Sequence, residues 1–255
     1  MGGFPSYLSS VDKCTYSDDT TTIVPAADLS DEVRGQAASA SETAGYNICG
    51  TNSTANVSIV DKITFADDTR ARIPGADATH ATRYINYCTN TTTGYFAGGK
   101  IPSPNALIST IQKVTYSTDT SSVSPSNLVA AQGYAAGNQS STAGYFTGGR
   151  AGVPPGPDIS STQKLTFATD TAANLPASAD LPNGITHIAA AGNATDGYLS
   201  GVSTPFPAST IQKINYSTET LANIPGTATD GVAPGGAATS GRGSQQFGTP
   251  APVNC

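Results

Sequence analysis

The residues of this chain able to carry chemistry are few: two His, four Cys and two adjacent Asp pairs. His80 and His187 stand in segments that read as loops, with no carboxylate or Cys at a ligand-like spacing. A structural zinc site needs four clustered nitrogen or sulfur donors, so no metal is expected. Asp18-Asp19 and Asp67-Asp68 invite a glycosidase reading, in which two carboxyls about 5–10 Å apart flank a sugar. They read instead as turn residues that recur because a turn recurs. An acidic residue before Thr appears five times and could offer calcium a ligand, but no dense run of oxygen donors surrounds it. A Gly-x-Ser-x-Gly elbow, a phosphate loop and a dinucleotide fingerprint in a strand–helix context are all missing. The expectation is a protein that is not an enzyme and holds no cofactor.

The cysteines are Cys14, Cys49, Cys88 and Cys255. Four cysteines allow three pairings, and sequence cannot choose among them. A Cys14–Cys255 disulfide would staple the two chain ends, with about 4–5 kcal/mol of loop-entropy stabilisation. Cys49 and Cys88 could bridge adjacent repeats, the alternative being two buried free thiols acting as small hydrophobes. Disulfides would place the protein outside a reducing cytosol.

The elements that must position these residues follow from an internal repeat. Lys13, Lys62, Lys113, Lys164 and Lys213 recur at steps of 49, 51, 51 and 49 residues. An aromatic stands three residues after each: Tyr16, Phe65, Tyr116, Phe167 and Tyr216. Asp19, Asp68, Asp119, Asp170 or Glu219 follows, then a Thr, then Pro25, Pro74, Pro125, Pro176 or Pro225. Between the anchors lies a second landmark, Gly45-Tyr46, Gly94-Tyr95, Gly144-Tyr145 and Gly197-Tyr198, with a degenerate copy at Gln246-Phe247-Gly248. Five repeats fill residues 1–255, leaving one domain.

Each repeat reads as strands. Thr110–Tyr116 alternates imperfectly but is rich in β-branched residues, and Ser117-Thr118-Asp119-Thr120 supplies turn chemistry. The prolines suit an outer strand or its exit, and Tyr95-Phe96-Ala97-Gly98-Gly99 an inner strand. About fifty residues holding four short strands is the period of a propeller blade. The expected fold is all-β, a five-bladed propeller of four-stranded antiparallel blades, closed by pairing of the N- and C-terminal segments.

Composition agrees. Of 255 residues 12% are charged, 27 are Gly and 17 Pro, which argues against a helical bundle. One Met, no Trp and seven Phe would fill many thin layers better than one thick core. Twelve Lys and Arg against eighteen Asp and Glu give a net charge of −6, so no nucleic acid partner is expected. No apolar run approaches the ~20 residues of a membrane helix, and residues 1–20 show no apolar core of a secretory leader. Six Asn-x-Ser/Thr triplets are present, as a Ser/Thr-rich chain produces by accident.

The aromatic-x-x-Gly-Gly strand, the variable loop and the strand ending in aromatic-x-x-Asp-Thr resemble the kelch repeat across all five copies. The Trp usual in that repeat is missing. The wording of Ser109–Thr120 resembles, more narrowly, kelch-like repeats of virion structural proteins from tailed phages of marine bacteria and cyanobacteria. The resemblance implies a fibre, decoration or host-recognition part located in the virion or at a cell surface, with other virion or surface-assembly proteins, and cell-surface glycans, as partners. The alternative is a secreted carbohydrate-binding lectin propeller. It also implies that two loop sets share one face. The loops after the Gly-Gly strands carry Tyr7, Lys100, Arg150 and Phe206; those after the repeat prolines carry Arg34 and Arg83. Aromatic and Arg side chains are common anchors for sugars and proteins, which makes these six the expected contact residues.

Overall fold

The computed structural model describes residues 7–15, 17–152, 156–202 and 210–227. Phe206 and Cys255 lie outside them, as do the Gln246-Phe247-Gly248 segment and the terminal pairing expected to close a ring. The described residues form β-strands and three short 3₁₀ turns, without an α-helix.

The strands fall into successive antiparallel sheets. A hairpin, β1 (Asp12–Thr15) and β2 (Thr20–Ile23), comes first. A four-stranded sheet follows, β3 (Ala37–Ala40), β4 (Ala44–Ile48), β5 (Val60–Thr64) and β6 (Thr69–Arg72). The next contains β7 (Asn86–Thr89), β8 (Thr93–Ala97), β9 (Ile111–Thr115) and β10 (Thr120–Val123). Short β11 (Gln132–Gly133) precedes a third sheet of β12 (Ala136–Gln139), β13 (Ala143–Thr147), β15 (Thr162–Thr166) and β16 (Thr171–Asn174); it pairs with β14 (Arg150–Ala151). The fourth sheet is β17 (Thr186–Gly192), β18 (Asp196–Val202), β19 (Thr210–Asn215) and β20 (Thr220–Thr227). In every four-stranded sheet spatial order follows chain order.

The first strands pack in succession, β3 on β7, β7 on β12 and β12 on β17. The Tyr-Phe-Ala-Gly-Gly segment, expected as the inner strand, is therefore second in its sheet. The strand before it packs directly on its counterparts in the neighbouring sheets. At the far side, the 3₁₀ turns Pro25–Ala27, Pro74–Ala76 and Ala177–Ala179 lie on the last strand of the following sheet. The repeat Pro opens the first two turns, where its missing N–H costs nothing. Both faces of β9 are covered, so Ile111, Gln112 and Val114 are all buried although they alternate in direction. That explains the imperfect alternation.

The repeated residues are those that join one sheet to the next. Lys13 sits 2.6 Å from Asp68, Lys62 2.7 Å from Asp119 and Lys113 2.5 Å from Asp170, and Lys164 closes on Glu219. The acidic partner occupies a left-handed turn position in all five copies, φ 52–55°, which favours Asp over longer side chains. Tyr46 and Tyr95 donate their hydroxyls to the same carboxylates, Asp119 at 2.7 Å and Asp170 at 3.1 Å. Their rings, with that of Tyr145, stack on the Lys-plus-three aromatic of the next sheet, Tyr46 on Tyr116, Tyr95 on Phe167 and Tyr145 on Tyr216. The Gly before Tyr95, Tyr145 and Tyr198 is a close-approach site. A Cβ on Gly94 would strike Ser39 Oγ, one on Gly144 would strike Cys88 Sγ, and one on Gly197 would lie 2.7 Å from Asn138 Nδ2. In each case the obstacle is the third residue of the preceding sheet's first strand.

Cys49 and Cys88 are free thiols. Cys49 follows β4 in a left-handed conformation, φ 59°, and donates to the His80 carbonyl at 3.7 Å. Cys88 is in β7, its sulfur seated over Gly144 of the next sheet. The two belong to separate core clusters, which overturns the expected bridge. Burial pushes the Cys49 thiol up to about 11 and the Cys88 thiol higher still, so neither forms thiolate near neutral pH. Exposed Cys14 contrasts with both. Iodoacetamide applied to the native, reduced protein is expected to alkylate Cys14 and spare Cys49 and Cys88, as read by peptide mass mapping. Prompt labelling of Cys88 would contradict its burial.

Candidate functional site

The side chains at one end of the first strands come from four consecutive sheets. The residue two before β3, and its counterparts before or within the later first strands, are Gly35, Tyr84, Tyr134 and His187. All four are left-handed, φ 55–66°. Main-chain bonds link them in series: Tyr84 N–H donates to Gly35 O at 2.8 Å, Tyr134 N–H to Tyr84 O at 3.1 Å, and His187 N–H to Tyr134 O at 3.0 Å. The result is a collar. Its outward side chains meet, Tyr84 stacking on Tyr134 with centroids 4.2 Å apart and His187 tilted against Tyr134 at 4.9 Å.

The neighbouring positions carry cations. Arg34 pairs across the backbone with Thr51, Arg83 with Lys100 and Gly133 with Arg150, so basic residues recur at equivalent places in three sheets. The Arg83 guanidinium lies 5.3 Å from the Tyr84 ring centre, that of Arg150 5.8 Å from Tyr134, and that of Arg34 4.5 Å from Tyr7. Cation–π contacts of this kind stabilise by about 0.5–2 kcal/mol. Five of the six expected contact residues, Tyr7, Arg34, Arg83, Lys100 and Arg150, thus share one end of the molecule. None of the five is exposed; all are half-buried. Sequence reasoning missed Tyr84 and Tyr134, and His187, read there as a loop residue, lies within β17.

The charge here is unbalanced. Asp158 compensates Arg150 at 3.0 Å. Arg83 and Lys100 have no carboxylate in ion-pair range among the described residues, and Arg83 Nε is buried without a hydrogen-bond partner. The Lys100 ammonium is pushed below its usual value by burial and by the Arg83 and Arg150 charges. His187 is likewise held below the usual 6.5, by burial first and then by Arg150, with Asp158 opposing. His187 is therefore neutral at physiological pH. The unfolded chain takes up the proton more readily, so this residue's share of stability declines as pH drops below about 6.5.

Among the described residues no three His, Cys, Asp or Glu cluster to hold a metal, and no helix is long and apolar enough to cross a membrane. The Asn-x-Thr triplets have a local role. Asn52, Asn90 and Asn193 each accept two backbone N–H bonds and a hydroxyl through Oδ1, closing turns. Asp18 and Asp67 each accept one backbone N–H and one hydroxyl, from Thr20 and Thr69, which holds both carboxyls below their usual range. Scans against protein-family profiles and against curated proteins find no match to this chain.

Proposed function

We propose that this chain is a five-bladed kelch-like β-propeller acting as a non-enzymatic recognition module in a virion or surface assembly. The observation that carries the reading is the collar, which gathers aromatic and basic side chains from consecutive sheets at one end of a rigid scaffold. Variable residues on such a scaffold are the usual place for binding. A lectin secreted by a cell is the second reading, favoured by the stacked rings of Tyr84 and Tyr134. Antibody against the chain is expected to decorate a fibre or surface feature of the purified particle or cell. Label confined to the cell interior would overturn both readings.

Ring closure is supported by what the two ends of the series lack. Asp19 has the left-handed turn of its counterparts but no ion pair among the described residues. Lys213 reaches only Asp196 of its own sheet, at 3.6 Å. Tyr198 is half-buried whereas Tyr46, Tyr95 and Tyr145 are at most 3% exposed. A Cβ on Gly45 would meet only the Phe65 ring, at 3.4 Å. Each gap fits the same register continued from the last sheet to the first, with Lys213 joining Asp19. A double-mutant cycle on Lys213→Gln and Asp19→Asn is expected to give coupling of about 0.5–1 kcal/mol, like that of Lys13 and Asp68. Additivity at Lys213 and Asp19 beside measurable coupling at Lys13 and Asp68 would refute closure.

A further inference from the structure

We infer that the collar is a binding site for an anionic saccharide, with the acidic group of the sugar seated between Arg83 and Lys100 and the rings of Tyr84, Tyr134 and His187 flanking it. The inference rests on the recognition reading and names its ligand class and its residues.

Three observations lead there. The first is selective loss of neutralisation. In an acidic chain, each of the five repeat Lys residues has a carboxylate partner, as do Arg72 and Arg150. Arg70 donates to the Asp28 carbonyl at 2.8 Å. Arg83 and Lys100 are drawn together by two main-chain bonds, Arg83 N–H to Lys100 O at 3.1 Å and Lys100 N–H to Arg83 O at 2.8 Å. Two like charges on paired residues, with Arg150 close enough to perturb Lys100, repel one another and favour a bound anion.

The second is desolvation. Arg83 Nε is buried with no hydrogen-bond partner, one of fifteen such side-chain atoms among the described residues and the one that belongs to a cation beside an unneutralised Lys100. An acid group arriving at the exposed side of the guanidinium would meet a fork already held against the Tyr84 ring, with little side-chain freedom left to lose.

The third is the company of rings. A purely acidic peptide needs cations alone, spread along an extended track. Here the cations are confined to one place beside two stacked Tyr rings and a neutral His. Aromatic faces and hydroxyls beside a charge suit a pyranose, which has an apolar face and polar edges. The groups packed around His187 are Tyr134, Arg150 and Asp158, so a bound carboxylate or sulfate adds the one negative charge needed to raise its proton affinity.

The test uses the purified full chain and four probes of matched length in low salt: an oligogalacturonate, a sulfated oligosaccharide, a neutral galacto-oligosaccharide and an oligoglutamate. Calorimetry is expected to show binding of at least one acidic saccharide, at least tenfold tighter than either the neutral sugar or the oligoglutamate. Raising ionic strength should weaken it. Lys100→Gln and Arg83→Gln are each expected to weaken it at least tenfold, with thermal unfolding recording that each variant is folded. Should Arg83→Gln fail to fold, Lys100→Gln and the wild-type His187 titration still decide the matter. In NMR, the His187 midpoint, assigned with His187→Gln, should move upward when the acidic sugar is bound and stay in place with the neutral one. No binding of either acidic saccharide, equal binding of the neutral sugar or the oligoglutamate, or binding indifferent to Lys100→Gln would overturn the inference. Surface labelling of the particle by antibody, persisting after such a result, would leave the recognition reading standing with a different ligand.

Discussion

Gly137→Ala is expected to destabilise the protein by at least about 3 kcal/mol, lowering the thermal midpoint by roughly 6–12 °C for a chain of this size. Gly137 lies in β12, one of the first strands that pack sheet against sheet, and a Cβ there would overlap the Tyr87 carbonyl oxygen and carbon of β7. Backbone cannot swing aside as a side chain can. Relief requires separating β7 from β12, which would loosen the stacking of Tyr95 on Phe167 and the pairing of Lys113 with Asp170 in the same interface. Gly75→Ala is the control. It sits in a 3₁₀ turn where the nearest atom to an added Cβ is 3.9 Å away, so a change within about 0.5 kcal/mol is expected. Equal stability of the two variants in urea titration would show that the first strands do not approach as closely as described.

Tyr46→Ala comes next in size, at about 3–5 kcal/mol, the range for removing a large buried ring. The Tyr46 ring is 2% exposed, stacks on Tyr116 with centroids 4.9 Å apart, and lies 5.5 Å from Lys62 Nζ. Its hydroxyl donates to Asp119, which also accepts from Lys62 at 2.7 and 2.9 Å. Burial and that neighbouring carboxylate both push the phenol well above its usual range, so it remains a donor at any working pH. Tyr46→Phe keeps the stack and removes one of several bonds to Asp119, and should cost only about 1 kcal/mol. The gap between the two variants measures the ring, and the Phe variant measures the hydroxyl. If Tyr46→Ala cost no more than Tyr46→Phe, the aromatic stacks would not be what joins the sheets.

These two predictions concern contacts that the repeat announces without explaining. The five Lys anchors, the aromatics and the acidic turn residues are visible in the chain as a rhythm. Their purpose is hidden, because each Lys meets the acid of the following copy rather than its own. A clue was present in the near-constant Lys-to-next-acid separation, since Lys13 to Asp68 and Lys164 to Glu219 are both 55 apart, and Lys62 to Asp119 and Lys113 to Asp170 both 57. Asp119 is thus selected twice, by its left-handed turn and by its partners Lys62 and Tyr46. The Gly before each Tyr is legible as a landmark, but the Ser39, Cys88 and Asn138 side chains that demand it are dissimilar in type.

The collar was legible in half. Arg34, Arg83, Lys100 and Arg150 stand out as basic residues in variable segments of an acidic chain. Gly35, Tyr84, Tyr134 and His187 share one position yet no chemical type, so no pattern search joins them. What unites them is a backbone conformation and a chain of N–H bonds from one sheet to the next.

From the amino-acid order alone came the all-β class, the number of copies and the identity of the residues that recur, because period, turn chemistry and β-branched content act over short stretches of chain. The tertiary structure alone decided that Cys49 and Cys88 stay apart, that the strand before Gly-Tyr packs on its counterparts in the neighbouring sheets, and that dissimilar residues from four sheets meet at one end. Those outcomes depend on how neighbouring sheets pack face to face, and such packing is a property of distance between copies that no local pattern records.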